Sequence, residues 1–457
     1  MKNKSNSTKN KVIRIAVTGT VVLTMTFAAF ILPLRPKVSE AEKRELAKFP
    51  EFSVTALLSG TYFSDIASWF SDTVPFRDTL VAINSKFQHI LGTATVLKGF
   101  NEAKRGDDIP DVPNTSSDSP ASDGTSEVQT DSPAGIPSEI TSAPETQPQG
   151  EYAGLVQKFD SILVAGNSGY EYYNFNQAAS DAYVAAVNAA GNRLNGRAKV
   201  YSMIIPTSID ITLDERVRKK VNVSDQKKAI DYMEGSMNQN VVRVEIFDAM
   251  KAHKDEYIYF RTDHHWTGLG AYYAYVRFCE IKGIQALPLS AYTVRSFDNF
   301  LGSFYKDSGN DPALGASPDV VDTYTPPCGT KMTVTEKSGN TLVTPMIYNA
   351  TNNKPAYKYS AFIYGDNPFT VIENTDMTSG DALILVKESF GNAIAPLFTY
   401  HYKYVYVVDY RYYSGKLDAL VNTAKSACGG NVDVLYCNNI SMTRASGQVT
   451  KLAAVLA

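Results

Sequence analysis

The 457-residue chain is poor in three residue types, with four Cys, five His and two Trp. So few cysteines exclude a disulfide-dense scaffold, and no CxxC or Cys/His spacing offers a zinc signature. An excess of either charge is lacking as well. The 44 Lys+Arg and 47 Asp+Glu nearly cancel to a net −3, which excludes a strongly basic nucleic-acid binder and an acidic solvating chain. No internal repeat of fixed period is present. Apolar material is plentiful: 44% of the residues are hydrophobic, enough for most of the length to bury a core.

Where the charge sits divides the chain. Residues 1–14 form a basic leader with Lys2, Lys4, Lys9, Lys11 and Arg14. Ile15–Leu34 then runs for 20 residues without a charge, long enough to span a bilayer core of roughly 30 Å as a helix. Basic residues ahead of a first span keep the N-terminus in the cytoplasm. The expectation is a single-pass anchor in the cytoplasmic membrane; a cleaved signal peptide is the alternative, and either exports the chain beyond Leu34. Residues 40–102 read as helical, with Leu57, Leu58, Phe63, Ile66, Trp69 and Phe70 at helical spacing. Residues 103–150 read as a disordered linker: positions 107–150 carry seven Pro, six Asp, three Glu and no Lys, Arg or aromatic residue. Such a composition buries too little apolar surface to offset its ordering entropy. Outside the cell Cys428 could pair with Cys437, or all four cysteines could remain lone thiols.

From 151 to 457 apolar strands alternate with helices. Helical periodicity runs over Ala178–Leu194, Lys227–Asn238, Gly268–Glu280 and Leu417–Ala424. Val200–Ile205, Val241–Phe247, Tyr257–Phe260, Ala382–Val386, Tyr404–Val408 and Val432–Tyr436 read as strands. The pattern predicts an α/β domain, a parallel sheet with helices on both faces, and a ligand site beyond the carboxyl ends of its strands.

Two segments at strand ends can carry chemistry. Thr262-Asp263-His264-His265-Trp266 holds two of the five histidines. In an extended segment residues two apart share a side, so Asp263 can fix one nitrogen of His265 while the other meets a substrate, and His264 points away in a structural role. That is the carboxylate–imidazole half of a hydrolase triad. A hydroxyl at a strand-to-helix turn would complete it. Ser389 comes after Ala-Leu-Ile-Leu-Val and precedes Phe-Gly-Asn-Ala, and Gly391 at the helix start would leave backbone N–H groups free for an oxyanion. Ser389 could equally be a helix N-cap, and metal binding by Asp263, His264 and His265 is a further alternative. Ser303 in a Gly- and Asp-rich stretch and Arg411 at a strand end could face a substrate or pack structurally. Tyr400, Tyr402, Tyr404 and Tyr406 alternate as one face of a strand would.

The string TDHHW, with Phe260-Arg261 before it and Gly-x-Gly-Ala-Tyr after it, resembles the bacterial DHHW protein family. Lys43–Leu91 (with Pro-Glu-Phe-Ser), Met203–Asp210 (MIIPTSID) and Val386–Asn392 (VKESFGN) resemble it too. The core is more distantly similar to the SGNH-like domain of alginate O-acetyltransferases, which implies an SGNH-hydrolase-like fold and a triad of Asp263, His265 and Ser389. Gly391, Asn392, Arg411 and Ser303 are then oxyanion or substrate candidates, with Trp266 and His264 structural beside the site. Glu388 stands where the distant relatives carry Gly-Asp, so no role is borrowed for it. The resemblance implies an extracytoplasmic serine O-acyltransferase acting on a cell-envelope polysaccharide, with no cofactor and no metal, supplied by a membrane-bound O-acyltransferase. A deacetylating esterase with the same residues and a non-catalytic glycan-binding protein are the alternatives.

Overall fold

A computed structural model describes residues 38–39, 44–45, 49–50, 52–53, 62, 66, 69, 73, 109–110, 156–158 and 162–456. The chain divides into two units, Met1–Thr93 and Ala94–Ala457. In the first, Val38–Ser39 pairs antiparallel with Arg44–Glu45. Tyr62, Ile66 and Trp69 are helical, and Phe49 packs edge-on against Trp69 at 4.8 Å. The apolar run 15–34 lies outside the described residues; among those, no helix is long and apolar enough to cross a membrane. Most of the 103–150 stretch also lies outside them. Ile109 does not: it is buried against Tyr173, Tyr183 and their neighbours in the second unit, so the expected linker contains at least one core residue.

The second unit is a mixed α/β fold. In chain order it forms β1 (Val156–Lys158), β2 (Ile162–Ala165), β3 (Ser168–Glu171), α1 (Gln177–Leu194), β4 (Lys199–Ile205), α2 (Gln226–Gly235), β5 (Val241–Arg243) and α3 (Gly268–Lys282). Next come β6 (Thr293–Phe300), β7 (Asp319–Thr325), β8 (Thr330–Thr335), β9 (Thr341–Thr344), β10 (Phe369–Asn374) and β11 (Gly380–Lys387). The chain closes with α4 (Gly391–Phe398), β12 (Tyr404–Asp409), α5 (Leu417–Cys428), β13 (Gly429–Asn439) and α6 (Ser446–Leu456). The central sheet has eight strands in the order β9-β8-β10-β12-β11-β13-β4-β5. The five from β12 to β5 are parallel, as expected; β10, β8 and β9 continue it antiparallel, so the sheet is mixed.

Alternate residues of the parallel strands feed two cores. Met203, Leu383, Leu385, Val405, Leu435 and Cys437 face α3 and α4. Val200, Ile384, Val386, Val434 and Tyr436 face α1, α2, α5 and α6. A strand buried on both faces has no room for a polar alternation, which is why β11 reads as continuous Ala-Leu-Ile-Leu-Val. Cys428 and Cys437 belong to these opposite cores, the sheet stands between them, and all four cysteines are free. Only Tyr404 and Tyr406 of the tyrosine row share a core; Tyr402 lies in the other.

The topology fixes where a site can form. From β11 the chain passes through α4 to β12 on one side, then through α5 to β13 on the other. The carboxyl end of β11 is therefore the switch point of the sheet, where diverging connections leave a crevice.

Candidate functional site

Ser389 sits in that crevice, two residues past the end of β11 and two before α4. The second segment arrives as a tight turn rather than the extended strand expected over Tyr257–Phe260. Tyr259 and Trp266 form an isolated bridge, with Phe260 N donating to His265 O and Thr267 N to Ile258 O. Thr267 then caps α3 by accepting from Gly270 N at 3.2 Å. A carboxylate far along the chain holds the turn: Asp319 accepts from Thr262 N (2.7 Å), Thr262 Oγ1 (2.6 Å), Arg261 N (3.1 Å) and Tyr257 Oη (2.5 Å). Trp266, fully buried, donates its indole N–H to Phe390 O at 2.9 Å. The turn and the Ser389 loop are thus tied together beside the groups they present.

Those groups meet. Asp263 Oδ1 accepts from His265 N at 3.0 Å and from His265 Nδ1 at 2.5 Å. With Nδ1 donating, the neutral imidazole leaves Nε2 as an acceptor, and Ser389 Oγ lies 2.7 Å from it. Asp263 and His265 are buried, whereas Ser389 is only half-buried. The ring of His265 is stacked on Tyr359 at 4.0 Å, and Tyr359 Oη donates to Ser389 O at 3.0 Å. Burial raises the Asp263 carboxyl, but the His265 and His264 imidazoles and the N–H donors of His265 and Ser303 outweigh it. The carboxyl is held well below the usual range. It therefore remains an anion and keeps its partner in one tautomer.

The other candidates take defined places. Ser303 N donates to Asp263 Oδ2 at 2.8 Å, and Ser303 Oγ lies 2.7 Å from His264 Nδ1. Gly302 makes this approach possible, since a Cβ there would come within 2.3 Å of Asp263 Oδ2. His264 does not point away from the pair; its ring centroid is 3.9 Å from that of His265. Burial lowers its pKa, and the neighbouring His265 imidazole acts in the same direction. Gly391 does not supply a free N–H, because it donates to Glu388 O, while Phe390 N donates to Glu388 Oε2 at 3.0 Å. Its missing side chain instead admits Lys387, whose Cβ would lie 2.4 Å from a Cβ at 391. The Ser389 N–H has no acceptor among the described residues. Asn392 is buried, with Nδ2 donating to Asp366 Oδ1 at 2.9 Å.

Arg411 is not available to a substrate carboxylate. It binds Asp409 through Nε (2.8 Å) and Nη2 (2.7 Å), and Asp366 lies 2.9 Å from Nη2. Lys387 Nζ completes a four-charge cluster, 2.9 Å from Asp409. Burial raises Asp366, but Lys387 and Arg411 prevail and lower it far below the ordinary carboxylate value. Glu388, with donors from Phe390 N and Asn439 N (2.7 Å), is raised by burial.

Asp263, His264 and His265 also bring possible metal-ligand atoms within 4.8 Å of one another. Both carboxylate oxygens, both nitrogens of His265 and Nδ1 of His264 already hold the hydrogen bonds described. A metal would have to replace them, so the donor set fits proton transfer better than coordination. Tyr359, Asp319 and Asp366 had no signal in the sequence. Asp319 is 57 residues from Thr262, Tyr359 is 30 from Ser389 and Asp366 is 26 from Asn392, all within ordinary-looking loops and strand ends.

The DHHW protein family model matches residues 42–408. The chain belongs to the DHHW protein family. Among solved structures, a DHHW family protein from Eubacterium siraeum is similar at 24% identity and a TM-score of 0.59, over 66% of this chain and 98% of that one. PatB1 of Bacillus cereus, solved with a sulfonyl adduct, is similar at 18% identity and a TM-score of 0.51, over 65% and 98%. These likenesses show the DHHW fold. The O-acetyltransferase domain of Pseudomonas putida AlgJ is more distant, at 13% identity and a TM-score of 0.33 over 65% and 98%. No curated protein matches the chain.

Proposed function

We propose that this DHHW protein is a serine O-acyltransferase that places acetyl groups on a cell-envelope polysaccharide. The observation that carries the reading is the unbroken path from Asp263 through His265 to Ser389, with contacts of 2.5 and 2.7 Å and the hydroxyl at the crevice. In the first step Ser389 Oγ attacks the carbonyl carbon of an acetyl ester while His265 Nε2 takes the hydroxyl proton. Asp263 stabilises the imidazolium, and the C–O bond to the leaving alcohol breaks as that alcohol receives the proton from Nε2. A sugar hydroxyl then attacks acetyl-Ser389, its proton passes to Nε2, and collapse returns that proton to Ser389. The oxyanion is met by the Ser389 N–H and by the second Nδ2 proton of Asn392, which Asp366 holds in orientation. The resemblance of the Asp-x-His-Trp and Ser motifs to those of alginate O-acetyltransferases supports transfer to a glycan. The apolar run 15–34 would keep the site outside the membrane, near a membrane-bound O-acyltransferase acting as donor.

The test is labelling and transfer by the full chain. A fluorophosphonate, or a sulfonyl fluoride chosen after the PatB1 adduct, should label the wild type and fail on Ser389→Ala. Acetyl from an activated ester should appear on an added oligosaccharide, and the Ser389→Ala rate should fall at least about 10⁴-fold. An unlabelled wild type overturns the catalytic reading; release of free acetate alone turns it into the esterase.

A further inference from the structure

Away from the crevice, α2, the β5–α3 connection and α3 enclose a cavity of about 290 Å³ lined by Asp231, Glu234, Glu245, Phe247, Asp248 and Arg277, among others. Its charges do not balance. Lys227 is engaged by Asp231 at 2.6 Å and Arg277 by Glu280 at 2.9 Å, which leaves Glu234, Glu245 and Asp248 without an ion pair among the described residues. Glu245 and Asp248 are solvated. Glu234 is not: it is 5% exposed, and its buried Oε1 has no hydrogen-bond partner. A buried carboxyl oxygen without a partner is costly, by about 1–3 kcal/mol. Its residue lines an empty space bordered by four further carboxylates, of Asp231, Glu245, Asp248 and Glu280, the first and last of which already hold Lys227 and Arg277.

We infer that this cavity binds a small organic dication of the diamine class, one ammonium anchored by Glu234 and the other by Glu245 and Asp248. The separation of the carboxyls argues for this ligand over a bare metal ion. No three of these carboxyl groups bring oxygens within 4.8 Å of one another, whereas the cluster around Asp263 does. Charges a few ångströms apart on a methylene chain suit that spread, and Phe247 and Ile230 offer apolar walls for the methylenes. Burial raises the Glu234 carboxyl to about 8, with Glu245 and Asp231 pushing the same way and Arg243 and Lys227 opposing. Near neutral pH the empty site is therefore mostly protonated at Glu234, and an entering ammonium ion expels that proton to solvent.

Calorimetric titration of the full chain with putrescine at pH 7, in two buffers of different ionisation enthalpy, tests this. One saturable site with release of nearly one proton is expected. Glu234→Gln should weaken binding at least about tenfold and abolish the proton release; Asp248→Asn, at an exposed position, should weaken it about threefold without touching the core. No saturable heat, unchanged affinity in Glu234→Gln, or equal competition by potassium at the same charge concentration would each overturn the inference. The acyltransferase reading is untouched by any of these outcomes.

Discussion

Asp263 and Glu234 are equally buried, each 5% exposed, yet their surroundings drive them in opposite directions. Asp263 receives donors from His265 N, His265 Nδ1 and Ser303 N and is kept far below the ordinary carboxylate value. Glu234 has an oxygen with no donor at all and rises to about 8. Burial is common to both, so the supply of N–H groups and imidazoles decides the protonation state. The crevice holds a carboxylate kept as an anion beside His265; the cavity holds a carboxyl kept as an acid.

The sharpest way to break this contrast is to remove the charge from Asp263. Asp263→Asn keeps the shape but offers Nδ1 the wrong partner, so turnover of an activated acetyl ester should fall by about 10⁴-fold while the far-ultraviolet circular dichroism stays unchanged. Activity above a tenth of wild type would mean that the carboxylate does not steer the imidazole. Next in size is the pH dependence set by Glu234. Its pKa is raised on folding, so the stability it contributes is complete below about 4.5 and is lost as pH rises to about 8. Urea unfolding should show the wild type losing roughly 5 kcal/mol relative to Glu234→Gln across that window; parallel pH profiles would contradict it.

Asp366→Asn should have the smallest effect, about 2 kcal/mol, below the usual cost of breaking a buried pair because its side chain is 29% exposed. Here the sign reverses: the Asp366 pKa is depressed, so the difference from wild type is full at neutral pH and fades as pH falls below about 4. A loss undiminished at pH 2 would point to packing instead of charge.

The parallel half of the sheet was legible because its strands are buried on both faces: Lys199–Ile205 and Gly380–Lys387 are nearly unbroken apolar runs. The antiparallel half was not. Thr330–Thr335 (TKMTVT), Thr341–Thr344 (TLVT) and Phe369–Asn374 (FTVIEN) alternate in burial and carry polar residues at half or more of their positions, a weaker pattern in a threonine-rich stretch. In the crevice, Asp263, His265 and Ser389 could be named because their chemistry is local to a motif. The groups that fix them could not. Asp319 under the turn, Tyr359 against the imidazole and Asp366 beside Asn392 are single residues with unremarkable neighbours, and only the folded chain gives them partners. The oxyanion expectation for Gly391 failed for a related reason: Glu388, read as a departure from the distant relatives' pattern, consumes the Phe390 amide through its side chain and the Gly391 amide through its carbonyl.

The placement of β11 also governs when the site can exist during synthesis. Both strands that flank it, β12 and β13, come later in the chain. Until residue 439 has emerged, the nucleophile's strand keeps an open edge, and the Asn439 amide that holds Glu388 is absent. A nascent chain therefore carries Asp263 and His265 long before the Ser389 hydroxyl can be aligned with them. The full Asp263–His265–Ser389 arrangement is thus postponed until β13 has been made.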